Sequence, residues 1–381
     1  MRSCVRRPRE KKATRTATFA LVQRRIAFRD KYNPVQSMRA LTISAHGGLE
    51  QIEFRDDLPV PQLTGAADVR IRMSAAALNH LDLFLLKGLP GVTITPPWIL
   101  GADGTGVVDA IGHDVTSVAP GDRVLINPGI SDRTCRYCLA GEQPLCPRYG
   151  ILGEHRPGTM AEYIVVPAVN VRRIPSNIDD AEAAAFTLAT LTAYRMIVTR
   201  AKVQPGERVL IWGIGGGVAV ACLQIAKYLG AHVTVTSSSD DKLARARELG
   251  ADDTINHRDV DVGREIRART NKQGVDVVVD SIGEATWAQS LGALGRAGRL
   301  VTCGGTSGPM VTTDVRRLFW NQWSILGSTM GNDAEFDAVV RMFSRGLLRP
   351  PVDRVYPLAE GRAAFARLAE GAQFGKIVLR I

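Results

Sequence analysis

The segment that most restricts the fold lies between residues 208 and 242. An apolar run, RVLIW, enters the turn Gly213-Ile214-Gly215-Gly216-Gly217-Val218-Ala219; a helical pattern follows to about Leu229, and then a second apolar run, HVTVTS. A strand that feeds a glycine-rich turn and a helix is how a parallel α/β sheet holds a dinucleotide pyrophosphate. Residues without side chains let backbone amides approach the phosphates at the positive end of the helix. The turn spells Gly-x-x-Gly-x-x-Ala at 213, 216 and 219, and the commoner Gly-x-Gly-x-x-Gly spacing fails at Val218. Alone, such a turn is often no more than a tight bend. The sequence downstream adds weight to it: helical patterns (DDKLARARELG, Val262 to Thr270, WAQSLGAL) alternate with strand patterns (around Thr254, VDVVVD, RLVTCGG, SILGS). This alternation predicts an α/β, doubly wound sheet over residues 190–326 and a nicotinamide dinucleotide as its ligand.

Upstream the pattern changes. From Met38 to about Pro167, short apolar stretches (EQIEF, VRIRMSAAAL, GTGVVDAIG, DRVLIN, AEYIVVP) are separated by Gly, Pro and Asp turns, as in a compact β-rich, barrel-like domain. The net charge of +10 suggests nucleic-acid binding until it is located. Residues 1–37 hold eleven Lys/Arg against Glu10 and Asp30, leaving 37 basic and 36 acidic residues for the remainder. The basic leader reads either as an organelle-targeting segment or as sequence ahead of a start at Met38. The second is preferred, because arginine usage is high throughout. The lack of a folded nucleic-acid-binding motif beside it argues against a nucleic-acid partner. No apolar run reaches membrane-spanning length, so no membrane association is expected.

Six cysteines are present. Cys135, Cys138 and Cys146 share one loop, while Cys4, Cys222 and Cys303 are scattered, a pattern that suits a metal loop in a reducing cytoplasm. Cys222 and Cys303 read as packing residues.

Taken together, LNHLD (78–82), LGADGTGVV (100–108), GDRV (121–124), the cysteine loop, GTMAEYIVVP (158–167), TLTAY (190–194), the glycine turn and FGKIVL (374–379) resemble the medium-chain dehydrogenase/reductase superfamily of zinc-type alcohol dehydrogenases and quinone oxidoreductases. The resemblance implies a split catalytic domain (38–189 and 327–381) around a Rossmann domain (190–326), with the active site in the cleft between them. It implies a four-ligand structural zinc at Asp132, Cys135, Cys138 and Cys146, with Asp in place of the first Cys; zinc accepts oxygen at a similar distance. It also aligns the catalytic zinc ligands with Asn79, Ala102 and Leu188, and the relay hydroxyl with Leu81. Ala and Leu cannot ligate, so the resemblance implies that the catalytic metal is lost.

Metal-free members reduce double bonds conjugated to a carbonyl, where the acceptor itself stabilises the enolate. The expected function is therefore an NADPH-dependent reductase of a quinone, enone or enoyl thioester, with Asn79, His80 and Asp82 as the catalytic shell. His80 titrates in the useful range, while Asp82 also suits a helix cap. A rival reading keeps a displaced metal among His80, Asp82, Asp103 and His155 and an alcohol or aldehyde substrate; another is a non-catalytic NADPH-binding protein. NADPH rather than NADH is expected because Ser237 stands where an acid would bind the ribose hydroxyls of NAD, followed by Ser238 and Ser239 with Lys242 one turn on. Asp240 and Asp241 suit the start of the next helix. The resemblance adds Thr192 and Lys376 to Gly213, Gly215, Gly216, Gly217 and Val218 as cofactor contacts. The expected partners are a small-molecule substrate and a second copy of the chain, as a homodimer or homotetramer, since exposed sheet edges pair between subunits.

Overall fold

The computed structural model describes Met1 and residues 37–381; the reading of the basic leader lies outside the described residues. Strands β1 (Ser37–Ile43), β2 (Ile52–Pro59), β3 (Asp68–Ala77), β4 (Trp98–Ile99), β5 (Asp103–Ile111), β6 (Arg123–Ile126), β7 (Gly129–Ile130), β8 (Gly150–Ile151), β9 (Tyr163–Pro167) and β10 (Val171–Arg173) come first. Strand β3 shows why they assemble. Successive side chains face opposite ways, so Val69, Ile71 and Met73 point into the core while Arg70 and Arg72 lie outside it. β3 pairs antiparallel with β5 along one side and with β9 through residues 68–72 on the other.

The glycine turn opens a six-stranded parallel sheet made of β11 (Arg208–Ile211), β12 (His232–Ser237), β13 (Asp253–Asn256), β14 (Val275–Val279), β15 (Leu294–Thr302) and β16 (Ser324–Gly327). Its order is β13-β12-β11-β14-β15-β16, with every pair parallel. Helices cover both faces, which is why the RVLI and VDVVV runs are continuously apolar rather than alternating. The order reverses between β11 and β14, and such a switch point opens a crevice at the strand C-termini where ligands bind.

The chain then returns to the β-rich part. β17 (Val352–Pro357) pairs with β18 (Lys376–Arg380), and β18 pairs antiparallel with β3, Val378 opposite Ala77 and Arg380 opposite Ala75. This closes a seven-stranded sheet, β10-β6-β5-β3-β18-β17 with β9 also on β3. Ala75 and Ala77 are small enough for the helix Asp180–Ala184 to pack against that junction. Among the described residues no helix is long and apolar enough to cross a membrane.

Candidate functional site

A cleft of about 480 Å³ runs between the C-terminal ends of the parallel strands and the β-rich part. On the sheet side, Trp212 follows β11 and leads into the turn. Gly213 (φ +69°) and Gly215 (φ +119°) adopt the left-handed region that favours glycine, and Gly216 caps the helix Gly217–Tyr228. A Cβ on Gly217 would stand 2.9 Å from Lys376 Cδ and 3.1 Å from Ala189 Cβ, whereas one on Gly216 would meet nothing closer than 3.8 Å. The helix itself is held by Ala219, Val220, Cys222, Leu223 and Ile225, all buried, so Cys222 is a packing residue as expected.

Gly213, Gly215, Gly216, Gly217 and Val218 line the cleft, as do Thr192, Ser237, Ser238, Lys242, Lys376, Asn79 and His80. A dinucleotide fits this lining. The glycine cradle is open, and the buried Trp212 Nε1, His257 Nδ1 and Gln373 Oε1 of the same lining have no hydrogen-bond partner among the described residues. At the far rim, Ser237 Oγ accepts from Ser239 N at 3.1 Å, and Lys242 Nζ donates to the Gly371 carbonyl at 2.5 Å. Asp240 and Asp241 sit in the first turn of the helix Asp240–Glu248, with Ser239 as its cap. Cys303 belongs to the cleft lining as well as to the core; burial pushes its thiol up to about 12, so it presents neutral surface.

On the opposite wall, the helix His80–Lys87 begins at Asn79. Asp82 accepts from Asn79 N at 2.7 Å and is buried beneath the lining as a brace. Burial raises its carboxyl to about 7, with the charge of Asp103 acting in the same direction and the Asn79 amide and Lys376 acting against it. His80 reaches the cleft mouth. Desolvation, then Lys376 and Lys87, hold its imidazole below the usual range.

The residue that sequence reasoning undervalued is Asp103, read there only as a stray metal ligand. It is fully buried at the start of β5 and accepts four bonds: from Thr187 Oγ1 (2.5 Å), Leu188 N (2.6 Å), Lys376 Nζ (2.8 Å) and Asn79 Nδ2 (2.9 Å). Lys376 Nζ also donates to Asn79 Oδ1 at 2.5 Å. Its position as the fourth residue of the LGADGTG stretch, beside Ala102, was a usable signal.

These bonds decide the catalytic metal. The Asn79 amide is engaged at both its oxygen and its nitrogen, Ala102 and Leu188 offer no ligand atom, and the Asp103 carboxylate already accepts four bonds, so the positions do not fit a zinc. The displaced site is not assembled either. Asp82 and Asp103 are committed to internal bonds, and His155 lies on the loop after β8, its Nδ1 accepting weakly from Ile151 N at 3.3 Å. Among the described residues, the one group with metal-binding geometry is Asp132, Cys135, Cys138 and Cys146, whose ligand atoms all lie within 4.8 Å of one another. That group fits a single zinc. Thr134 N and Cys135 N donate to Asp132 Oδ1, which fixes the carboxylate, and Arg148 N donates to Cys146 Sγ at 3.4 Å.

Comparison with known proteins agrees with this architecture. Residues 65–176 match the family described as "Alcohol dehydrogenase GroES-like domain", and residues 217–345 match "Zinc-binding dehydrogenase". A solved structure described as a NAD-dependent alcohol dehydrogenase is 46% identical, covers 90% of this chain and 100% of its own, and superposes with a TM-score of 0.87. A cobalt- and zinc-bound thermostable alcohol dehydrogenase from Pyrobaculum aerophilum is 34% identical, covering 91% of this chain and 100% of its own, with a TM-score of 0.82. A zinc-type alcohol dehydrogenase-like protein of Schizosaccharomyces pombe is 32% identical over 342 residues, 88% of this chain and 96% of its own.

These relatives overturn the expectation of a quinone, enone or enoyl reductase. Full-length similarity runs to alcohol dehydrogenases, and the Asp/Cys zinc cluster is intact. The inference failed because the loss of ligands at Ala102 and Leu188 says which electrophile is absent and nothing of which bond is reduced. The chain is a nicotinamide-dependent oxidoreductase and belongs to the medium-chain, zinc-type alcohol dehydrogenase family.

Proposed function

We propose that the chain is an alcohol dehydrogenase: hydride passes between the carbinol carbon of an alcohol and the nicotinamide ring, giving an aldehyde or ketone, reduced cofactor and one proton. The observation that carries this is the 46% identical, full-length similarity to a NAD-dependent alcohol dehydrogenase. The cleft supports it, since Leu81, Phe84, Ile151, Leu188 and Met330 give its β-rich end an apolar lining suited to an uncharged alcohol of moderate size. The test is a panel of primary and secondary alcohols with oxidised cofactor, and of the matching carbonyls with reduced cofactor, followed at the nicotinamide absorbance. Quinones and enones serve as controls. Turnover of alcohols or simple carbonyls is expected; turnover confined to the controls would refute the reading, and none at all would favour a non-catalytic binding protein.

The relative's name points to NAD as cofactor. The adenosine rim adds that NADP is accepted too, and favoured: Ser237, Ser238 and Lys242 place hydroxyls and a cation where a repelling carboxylate would otherwise exclude a 2′-phosphate. A zinc in the Asp132 lobe has a bracing role. Cys135, Cys138, Cys146, Cys222 and Cys303 are not paired in disulfides, which suits a reducing cytoplasm. The exposed edge of the parallel sheet supports a homodimer.

A further inference from the structure

We propose that Lys376 takes the electrophile's place in this cleft: its ammonium group, fixed by Asp103 and Asn79, hydrogen-bonds the oxygen of the alcohol or carbonyl where the superfamily pattern would put a metal. The proposal rests on the alcohol dehydrogenase reading and deepens it.

Three observations converge. The Lys376 stem passes the glycine turn, its Cδ 2.9 Å from where a Cβ on Gly217 would be, so the side chain crosses from the dinucleotide side of the cleft to the Asn79 side. At its tip, two of the three N–H bonds are committed, to Asn79 Oδ1 at 2.5 Å and Asp103 Oδ2 at 2.8 Å; no partner for the third is found among the described residues. Finally, the Lys376 side chain is only 4% exposed yet belongs to the cleft lining. A cation held by a fully buried carboxylate that Thr187 and Leu188 also fix cannot swing to solvent. It is therefore aimed before substrate arrives, the condition under which a donor stabilises developing charge most. Asn79 in place of a thiolate becomes intelligible: its amide accepts from Lys376 and donates to Asp103, and a thiolate has no proton with which to do the second.

In the carbonyl-reducing direction, hydride leaves C4 of the reduced nicotinamide and forms a C–H bond at the carbonyl carbon. The C=O π pair retreats to oxygen, where the free N–H of Lys376 holds the growing negative charge, and the oxygen then takes a proton from water in the cleft. Alcohol oxidation is the reverse, with the hydroxyl proton released to water. Lys376 keeps its charge throughout.

The experiment uses the full-length, zinc-loaded protein and three forms: parent, Lys376→Met, and Lys376→Met with Asp103→Asn, which leaves no unmatched buried charge if the single variant fails to fold. Each is loaded with NADH and titrated with isobutyramide, an unreactive carbonyl analogue, by nicotinamide fluorescence; metal content and alcohol turnover are measured alongside. The expected result is amide binding by the parent, weakened at least tenfold in the variants, with the NADH Kd within threefold, kcat down about 100-fold or more, and one zinc per chain. Unchanged amide affinity, no amide binding by the parent, or a second tightly held metal would overturn the proposal. So would a tenfold rise in NADH Kd with amide affinity preserved at saturating NADH, since Lys376 would then be a phosphate anchor. If no alcohol or carbonyl is turned over but amide binding still depends on Lys376, the alcohol dehydrogenase reading fails and the assignment of Lys376 stands.

Discussion

At the scale of single residues, Ser237 and Asp82 are the most exacting tests. Ser237→Asp puts a carboxylate beside the 2′-position of the adenosine ribose. Two charges about 4 Å apart at an effective dielectric near 20 interact by about 4 kcal/mol before relaxation, so the ratio of kcat/KM for NADP over NAD should fall at least tenfold. A parent that cannot use NADP at all would remove the basis of the claim. Asp82 carries a pH signature. Burial raises its carboxyl to about 7 in the fold, above an unfolded value of about 4. Such a group contributes stability that is fully present below the unfolded pKa and is lost as pH rises through the folded one. Asp82→Asn keeps an acceptor for the Asn79 amide and removes the titration. Relative to the parent, its melting temperature should therefore rise between pH 5 and pH 8; a difference independent of pH would show that this carboxyl is not raised. The role of Asp82 was half legible in sequence, because an acid three residues after Asn79 matches a helix-capping pattern. The bonding of Asp103 was not legible, since its ammonium partner lies 273 positions away and meets it only through strand register.

Among the elements, the cysteine loop and the glycine turn were legible because each is local: the ligands or glycines lie within fifteen residues and need no distant partner to be recognised. What the sequence did not reveal is how the zinc lobe is anchored. Arg133 pairs with Asp333, and Arg195, itself buried, bridges Glu142 of the lobe to Glu335, where the helix Asp333–Ser344 begins. Gln143 Oε1 also accepts from Asp333 N at 3.4 Å. The lobe thus braces the segment that delivers Met330 to the cleft. Cys138→Ser should release zinc and cost about 2 kcal/mol or more of stability. The shared Arg195 keeps Glu335 as a partner, so turnover per folded molecule should stay within threefold. Calorimetry with metal analysis checks the first part, and active-site-normalised kinetics the second. Loss of turnover matching loss of metal would mean that the lobe shapes the cleft directly.

For the whole molecule, fold class followed from the change between short β stretches and βα alternation, whereas the function assigned to it did not, because one cleft architecture serves several hydride acceptors. Assembly is the other property of this scale. β16 is an edge strand of the parallel sheet, and Val315, Phe319 and Trp320 are each at least 64% exposed on the helix just before it. We propose this apolar patch beside an open sheet edge as the face that a second copy would cover about a twofold axis. Trp320→Asp should halve the mass measured by light scattering; a parent already monomeric at micromolar concentration would dismiss the dimer. The closing strand β18 carries one more consequence, in the order of events during synthesis. β3 is made early, yet one edge of its Ala75–Ala77 segment waits for residues 378–380 while the whole parallel sheet is translated between them. Until then the nascent chain holds an open sheet edge and a carboxylate at Asp103 without its ammonium. Chaperone dependence should therefore be concentrated in that late interval, and arrival of one strand both seals the sheet and equips the cleft.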